Sequence, residues 1–208
     1  MDVKIYHTGP LQVNTYVLTD EKSKEAVIFD VGGSFERIKK DIDDQGYKIK
    51  YVLNTHGHFD HIAGEVEIRN NYLEIPVYVG KNDLFHCEHL GQTMQQWGFS
   101  SSIEKLTPTK FIDSNTDLTI GDTKILIFET PGHSKGGLCY YIDGKLFSGD
   151  TLFLDSIGRS DFIDGDTEEL LSSIKNKLLP LPEDTIVYPG HGPQTTIKHE
   201  KLNNPYLN

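Results

Sequence analysis

The sequence predicts an α/β protein in which two β-sheets pack face to face and helices cover their outer sides. Two observations carry this prediction. Short runs rich in Val, Ile and Tyr alternate with segments of helical periodicity, and this scheme occurs in both halves of the chain. No linker-like or low-complexity segment separates the halves, so residues 1–208 are predicted to form a single domain.

The first half predicts three strands, a helix, and then a strand–helix–strand unit. Ser34 is the expected N-cap of the first helix, because Phe35, Ile38 and Ile42 are spaced to share one helical face, and Gly46 is suited to end it. In chain order the predicted elements are strands in VKIYHT, NTYVLT and EAVIFD, the helix FERIKKDIDDQG, the strand YKIKYVLNT, the helix HIAGEVEIRNNYL and the strand IPVYVG.

The second half predicts two hairpins, a helix and a last strand. DLTIGDTKILIFET turns at a Gly-Asp pair, and GGLCYYIDGKLFSGD turns at Asp143-Gly144. Asp166 and Glu169 are spaced as a capping box for the helix EELLSSIKNKL. DTIVYPG is the last predicted strand.

Residues 81–110, between the two halves, fit this scheme poorly. The segment contains Trp97, Phe99 and a run of three serines, residues 100–102. We expect either a helix with a mobile lid over a site, or a surface excursion held in the core by one aromatic side chain. The sequence leaves both interpretations open.

Composition and charge restrict the class of protein. The net charge of −11 disfavours nucleic-acid binding, which depends on Lys and Arg. Two cysteines in 208 residues form no disulfide framework, and MDVKIYHTGP lacks the apolar core of a signal peptide. Because no run approaches the roughly 18 apolar residues of a membrane span, we expect a cytoplasmic protein with a small-molecule substrate and no nucleic-acid or membrane partner. The oligomeric state is left open.

Seven side chains of types that bind metals stand at the ends of predicted strands. Four lie in THGHFDHIAG, and they are His56, His58, Asp60 and His61. The other three follow later strands, and they are His133, Asp150 and His191. His56 and His58 are two residues apart and can point the same way, whereas Asp60 and His61 are adjacent and diverge. One zinc ion takes about four ligands. Five imidazoles and two carboxylates therefore suit two metal ions that share one carboxylate and a hydroxide. The remaining histidines are interpreted as surface or satisfied core residues, and they are His7, His86, His89 and His199.

The segment HGHFDH, residues 56–61, resembles the H-x-H-x-D-H pattern of the metallo-β-lactamase fold hydrolases, and His133, Asp150 and His191 follow in that family's order. SGDTLFLDSIGRSD and HGPQTTIKHEKLNNPYL resemble segments of the small glyoxalase II-like, or hydroxyacylglutathione hydrolase-like, subgroup. The resemblance covers nearly the whole chain. It implies an αββα sandwich of two mixed β-sheets with outer helices and a dinuclear metal site at one edge.

The resemblance also implies a role for each of these side chains. Two zinc ions are implied, with iron or manganese as alternatives, and Asp150 would bridge them. Asp60 would in addition orient the shared hydroxide, and Arg159 stands where the family often has a basic residue that contacts substrate. The implied ligands are His56, His58 and His133 for the first metal and Asp60, His61 and His191 for the second.

The leading functional hypothesis is zinc-dependent hydrolysis of hydroxyacyl thioesters such as S-lactoylglutathione. The larger glyoxalase II enzymes place a tyrosine after the last histidine ligand, but residues 192–194 here are Gly-Pro-Gln, so recognition of glutathione is an open point. The alternatives are hydrolysis of a lactone or another ester, and a persulfide dioxygenase with one iron held by His56, His133 and Asp150. A β-lactamase is disfavoured, because those secreted enzymes begin with a signal peptide.

Overall fold

Two six-stranded sheets lie face to face, and helices cover their outer sides. The computed structural model describes residues 1–100, 102–162 and 164–207, so Ser101 of the serine run lies outside the described residues. Within these ranges, every helix falls short of the length and apolar character that crossing a membrane requires. The arrangement confirms the predicted α/β sandwich of two mixed β-sheets.

The first sheet contains the strands of the N-terminal half, and these are β1 (Asp2–Thr8), β2 (Val13–Asp20), β3 (Glu25–Phe29), β4 (Lys48–Leu53), β5 (Val77–Gly80) and β6 (Lys110–Ile112). They lie side by side in chain order, antiparallel from β1 to β3 and parallel from β3 to β6. Because β3 and β4 are parallel, the residues that follow them meet at the same edge of the sheet. The motif THGHFDHIAG follows β4 at this edge.

The second sheet contains β7 (Leu118–Ile120), β8 (Thr123–Glu129), β9 (Leu138–Ile142), β10 (Lys145–Gly149), β13 (Ile186–Pro189) and β14 (Thr195–Thr196), and a separate small hairpin consists of β11 (Leu152–Phe153) and β12 (Ser156–Ile157). The strand order is β14-β13-β10-β9-β8-β7, with one parallel pair, β10 and β13. Both predicted hairpins are present. Asp143 and Gly144 form the β9–β10 turn with φ of 48° and 75°, as such a turn demands.

Seven α-helices are seen in the described residues, and these are α1 (Glu36–Asp44), α2 (Phe59–Ile62), α3 (Glu65–Asn71), α4 (Leu84–Glu88), α5 (Leu90–Gln96), α6 (Thr167–Ser173) and α7 (Ile197–Asn203). A 3₁₀ turn (Lys81–Asp83) precedes α4, and a π-helical turn (Ile174–Leu178) follows α6. One half of the predicted capping box of α6 is confirmed, since the Asp166 carboxylate accepts a hydrogen bond from the Glu169 N–H. The other half is replaced, because the N–H of Asp166 donates to the carbonyl oxygen of Gly132 at 2.8 Å.

Two local predictions for the first half are wrong. Phe35, not Ser34, is the N-cap residue of α1, and its N–H donates to the carboxylate of Glu67 at 3.1 Å. The helix predicted through HIAGEVEIRNNYL is divided into α2 and α3 near Gly64. A Cβ atom on Gly64 would lie 1.8 Å from the carbonyl oxygen of Gly33. Tertiary contact therefore sets the break, which helix propensity alone does not reveal.

Aromatic rings stack across the core between the two sheets. Phe29 of β3 stacks on Phe147 of β10 with ring centroids 3.9 Å apart, and Tyr140 of β9 packs against Phe29. All three rings are fully buried, and burial of one such side chain contributes about 1.5–3 kcal/mol. The Tyr140 hydroxyl also donates to the carbonyl oxygen of Asn54 at 2.6 Å. The core thus holds the chain in place where β4 leads into the histidine motif.

Residues 81–110 carry the 3₁₀ turn and the two short helices α4 and α5, and they end where β6 begins. The ring of Phe59 contacts those of Trp97 and Phe99, with centroids 5.6 and 5.7 Å away. Phe99 is partly buried in this cluster, whereas Trp97 is half exposed. The segment therefore has an aromatic anchor. The idea that the segment moves as a lid stays a prediction.

Candidate metal centre

Four loops bring the seven predicted side chains to one edge of the sandwich. Each loop follows the end of a strand, β4, β8, β10 or β13. Among these seven residues the ligand atoms form three overlapping groups of three in which all atoms lie within 4.8 Å of one another. One of them, His56, His61 and Asp150, joins the other two, which we call the first and the second cluster. The first cluster consists of His56, His58 and His133, and the second consists of Asp60, His61 and His191.

The first cluster is made of three imidazoles. Nε2 of His133 lies 3.2 Å from Nε2 of His56, and the ring centroid of His58 is 4.6 Å from each of the other two. Burial and the neighbouring imidazoles hold the pKa of His56 well below its ordinary value and lower the pKa of His58 to about 3. These two rings are therefore neutral at physiological pH, the form in which histidine binds metals.

The second cluster contains a carboxylate. Oδ2 of Asp60 lies 3.1 Å from Nε2 of His191 and 3.7 Å from Nε2 of His61. Burial opposes the charged form of His61, but Asp150, Asp60 and Asp30 outweigh this and raise the pKa of His61 well above its ordinary value. A cation bound at this cluster would have to displace that proton.

Asp150 faces both clusters. Its Oδ2 lies 3.7 Å from Nε2 of His133 and 3.9 Å from Nε2 of His191, and its Oδ1 lies 3.4 Å from Nε2 of His61. Oδ1 of Asp150 and Nε2 of His61 are buried and lie within ion-pair distance of each other, but neither has a hydrogen-bond partner among the described residues. Buried polar atoms without a hydrogen bond are costly. A divalent cation would satisfy both, so the donor set fits the metal that the sequence implies.

Glycine at position 190 permits this close arrangement. A Cβ atom on Gly190 would lie 2.3 Å from Oδ1 of Asp150 and 2.6 Å from Cε1 of His61. Such contacts are far inside van der Waals distance, so any larger residue would displace the carboxylate between the clusters. Only glycine therefore fits at the position before His191 without moving its neighbours.

Asp30, which the sequence did not single out, lies behind the second cluster. It is 2% exposed, and its carboxylate accepts hydrogen bonds from the N–H and Oγ1 of Thr55, both at 2.8 Å, and lies 2.9 Å from Nδ1 of His61. Asp30 directly follows β3, just as the predicted ligands follow their strands. Its position at the end of a strand is the sequence signal that marks Asp30.

Asp83 plays a comparable part behind the first cluster. Its buried carboxylate accepts hydrogen bonds from Gly57 N–H at 2.7 Å, Ser134 Oγ at 2.8 Å and Gly136 N–H at 2.6 Å. Gly57 lies between His56 and His58, and Ser134 follows His133. Asp83 thus joins the two loops that supply the first cluster, and no local sequence signal marks it.

A cavity of about 690 Å³ lies against the two clusters, and Asp60, His58, His133, Asp150 and His191 are among its lining residues. Arg159, predicted to contact substrate, lines the same cavity. Its Nε and Nη2 donate to the two carboxylate oxygens of Asp161 at 2.9 and 2.8 Å. Contact between Arg159 and a substrate stays a prediction.

His86, interpreted from the sequence as a surface or satisfied core residue, also lines the cavity. Its Nε2 lies 2.7 Å from Oδ2 of Asp164, and its ring centroid is 4.8 Å from that of His58. Burial lowers the pKa of His86, but the hydrogen bond to Asp164 and the charges of Asp83 and Asp164 outweigh it, and the pKa is raised. His86 is thus a paired residue beside the first cluster.

Sequence comparison relates the whole chain to metal-dependent hydrolases. The family model of the Metallo-beta-lactamase superfamily matches residues 8–191. The chain is 39% identical over 205 residues to "Probable metallo-hydrolase YqgX" of Bacillus subtilis (strain 168), with 96% of this chain and 94% of that protein covered. It is 35% identical over 211 residues to "Hydroxyacylglutathione hydrolase GloC" of Haemophilus influenzae, with 100% and 99% covered.

Solved structures agree with this relationship. BLEG-1 B3 metallo-beta-lactamase superposes with a TM-score of 0.89 at 42% identity over 100% of both chains. TTHA1623 in a di-iron-bound form superposes with a TM-score of 0.85 at 33% identity over 98% of this chain and 100% of that chain. The family match, the relatives and the αββα sandwich lead to one conclusion, namely that the chain belongs to the metallo-beta-lactamase superfamily of metallo-hydrolases.

Proposed function

We propose that this chain hydrolyses hydroxyacyl thioesters with two zinc ions held at the two clusters. The observation that carries the proposal is the placement of Asp150, whose carboxylate oxygens face both clusters beside a cavity. The similarity to GloC over the whole chain supports the choice of a hydroxyacyl thioester. A small molecule is therefore the proposed substrate.

The donor set supports the proposed stoichiometry of two metals per chain. Seven ligands exceed what one tetrahedral zinc ion accepts, and a carboxylate between two clusters is suited to bridge. When bound, a pair of divalent cations supplies a nucleophilic hydroxide at neutral pH and polarises the scissile carbonyl. The first ion would be held by His56, His58 and His133, the second by Asp60, His61 and His191, and Asp150 would bridge.

Asp60 is one of the donors and also faces the cavity. Burial raises the pKa of Asp60, but the charge of His61 and the hydrogen bond with His191 outweigh it and lower the pKa. Asp60 is therefore ionised at neutral pH, and its cavity-lining carboxylate is suited to orient the attacking water as a hydrogen-bond acceptor. The leaving thiolate is a weak base, so departure needs no strong acid from the protein.

Hydrolysis of S-lactoyl thioesters by the zinc-loaded protein tests this proposal. We expect turnover of at least one S-lactoyl thioester with release of free thiol, and a loss of more than about 100-fold in the His133→Ala variant. Metal content is measured on the same samples. If no thioester in a panel of charged and uncharged thiols is cleaved above the rate of His133→Ala, the proposed reaction is wrong.

An iron-dependent oxidoreductase is the second candidate. Nε2 of His133 lies 3.2 Å from Nε2 of His56 and 3.7 Å from Asp150, which makes the set of two histidines and one carboxylate that suits non-haem iron. Isolation of the protein with about one iron per chain, and oxygen uptake with glutathione persulfide, would favour it. Two zinc ions per chain without oxygen uptake favour the hydrolase.

Hydrolysis of a β-lactam is a further candidate, because BLEG-1 B3 metallo-beta-lactamase is 42% identical to this chain. A lactam nitrogen is a far more basic leaving group than a thiolate and needs a proton when the bond breaks. The same zinc-loaded sample assayed with nitrocefin compares the two reactions directly. We expect kcat/KM for the best S-lactoyl thioester to exceed that for nitrocefin.

A further inference from the structure

Much of the cavity lining is apolar and exposed. Phe85 of α4 and Trp97, which follows α5, are 58% and 48% exposed, and both line the cavity. A second apolar group comes from the β11–β12 hairpin and its turn, and it consists of Phe153, Leu154 and Ile157. Large apolar side chains that stay exposed in a concave site are typical of a ligand-binding surface.

The charged side chains of the lining already have partners. Apart from the carboxylates of the two clusters, the lining contains Asp164, which pairs with His86 at 2.7 Å, and Arg159. Within the described part of the chain, Arg159 is the one Lys or Arg in the lining. Nε and Nη2 of Arg159 both donate to Asp161, so a substrate carboxylate that bound Arg159 bidentately would only replace an ion pair that is already present.

We propose that the thiol half of the substrate is an uncharged alkyl or aryl group that packs against Phe85, Trp97 and the β11–β12 hairpin. This proposal rests on the proposed thioester hydrolysis. Glutathione carries two carboxylates and an ammonium group at neutral pH. Against this lining these groups would lose hydration without gaining ion pairs. A benzyl group instead gains hydrophobic burial and ring contacts. The cavity therefore selects a neutral carrier over a charged one.

The first test compares S-lactoyl thioesters that differ only in the thiol. Zinc-loaded protein is assayed with the thioesters of benzyl mercaptan and glutathione. We expect kcat/KM for the benzyl thioester to be at least about tenfold higher, the scale on which an apolar pocket discriminates. If the glutathione thioester is cleaved as well or better, the inference about the carrier is wrong although thioester hydrolysis stands.

The second test needs no turnover and no metal. Trp97 is the one tryptophan of the chain, so intrinsic fluorescence reports on the cavity wall. Metal-free protein is titrated with benzyl methyl sulfide and, separately, with S-methylglutathione. We expect the benzyl compound to shift the emission to shorter wavelength at about tenfold lower concentration. If S-methylglutathione binds as tightly as benzyl methyl sulfide or more tightly, the inference is wrong. This result is decisive even if the protein cleaves no thioester.

A pair of variants locates the carrier site. Phe85→Ala removes an exposed ring from the cavity and keeps the Trp97 reporter, whereas Phe111→Ala removes a ring of similar exposure, 46%, from β6 outside this cavity. We expect Phe85→Ala to lower kcat/KM for the benzyl thioester about tenfold more than for the S-methyl thioester. Phe111→Ala serves as the control and should leave kcat/KM for both thioesters unchanged. An equal effect of Phe85→Ala on both thioesters overturns the proposed placement.

Discussion

Nδ1 of His61 lies 2.9 Å from Oδ2 of Asp30, and this contact fixes which nitrogen of the imidazole faces the second cluster. Asp30 is itself held by Thr55, the residue before the histidine motif, through its N–H and its hydroxyl. The carboxylate therefore links the end of β3 to the loop after β4. Partners of this kind orient ligating histidines and raise their basicity.

Asp30→Asn should weaken metal binding at the second cluster. An amide keeps the size of the side chain but loses the charge that supports His61, so we expect affinity for the second zinc ion to fall about 10- to 100-fold. Competition with a chromophoric chelator measures this. Asp122→Asn is the matched control, because Asp122 is 91% exposed on the surface. Equal zinc affinities in all three proteins would contradict the role of Asp30.

Asp83→Ala should destabilise the metal-free fold and disorder the first cluster. The variant leaves the N–H groups of Gly57 and Gly136 and the hydroxyl of Ser134 without their shared acceptor. Each unsatisfied buried donor costs about 1–3 kcal/mol, so the free energy of unfolding should fall by at least about 3 kcal/mol in urea denaturation. Asp83→Asn keeps one acceptor oxygen, so its free energy of unfolding should lie between that of Asp83→Ala and that of the natural protein. No loss in Asp83→Ala would show that the three donors find other partners.

The sequence predicts those parts of this protein that depend on local pattern. Alternating apolar residues, Asp143-Gly144 and the Asp166–Glu169 spacing indicate strands, a hairpin turn and a helix start, and all are present. The spacing of His56 and His58 predicts that their side chains point the same way, and their ligand atoms lie in one group. These features are short-range, so neighbouring residues determine them.

The rest depends on contacts between distant residues. Asp83 accepts hydrogen bonds from residues 26 and 53 positions away, Gly57 and Gly136, and nothing near Asp83 in the sequence indicates them. The break between α2 and α3 arises because Gly64 lies against Gly33 of another loop. The pairing of His86 with Asp164 spans 78 positions. Tertiary packing of this kind overrides local propensity and leaves no local pattern.

The two cysteines should be unreactive in the folded protein. Both are fully buried, and burial raises the pKa of Cys87 to about 12 and that of Cys139 to about 11. Because the thiolate is the reactive form, neither should react with Ellman's reagent at about pH 8 within minutes. Both should react fully in guanidinium chloride. Fast labelling of the native protein would mean that one of these sites opens readily.

The pair of His86 and Asp164 should stabilise the metal-free protein mainly in mild acid. The pKa of His86 is raised, so its contribution is complete below about pH 6.5 and is lost as pH rises through the folded-state value. The pKa of Asp164 is lowered, chiefly by the hydrogen bond with His86, so its contribution is present above about pH 4 and is lost as pH falls further. The ion pair therefore acts mainly between these limits.

Asp164→Asn should accordingly cost more stability at about pH 5.5 than at about pH 9. Urea denaturation of metal-free protein at both pH values measures the difference. Asp161→Asn is the control from the same loop, because the Arg159–Asp161 pair is exposed and such pairs contribute little. If Asp164→Asn lowers the free energy of unfolding equally at both pH values, the ion pair is not the cause of the loss.

Asp60→Ala should deplete one metal more than the other. Oδ2 of Asp60 lies 3.1 Å from Nε2 of His191 and 3.7 Å from Nε2 of His61, so the carboxylate belongs to the second cluster. The first cluster keeps its three imidazoles in this variant, and we expect about one zinc per chain to remain after dialysis, compared with about two in the natural protein. His58→Ala is the reciprocal variant and should weaken the first cluster instead. Equal loss of both metals in Asp60→Ala would show that the two clusters do not bind metal independently. Loss of neither metal would show that the second cluster binds metal without Asp60, and either result contradicts the assignment of Asp60 as a ligand of the second metal alone.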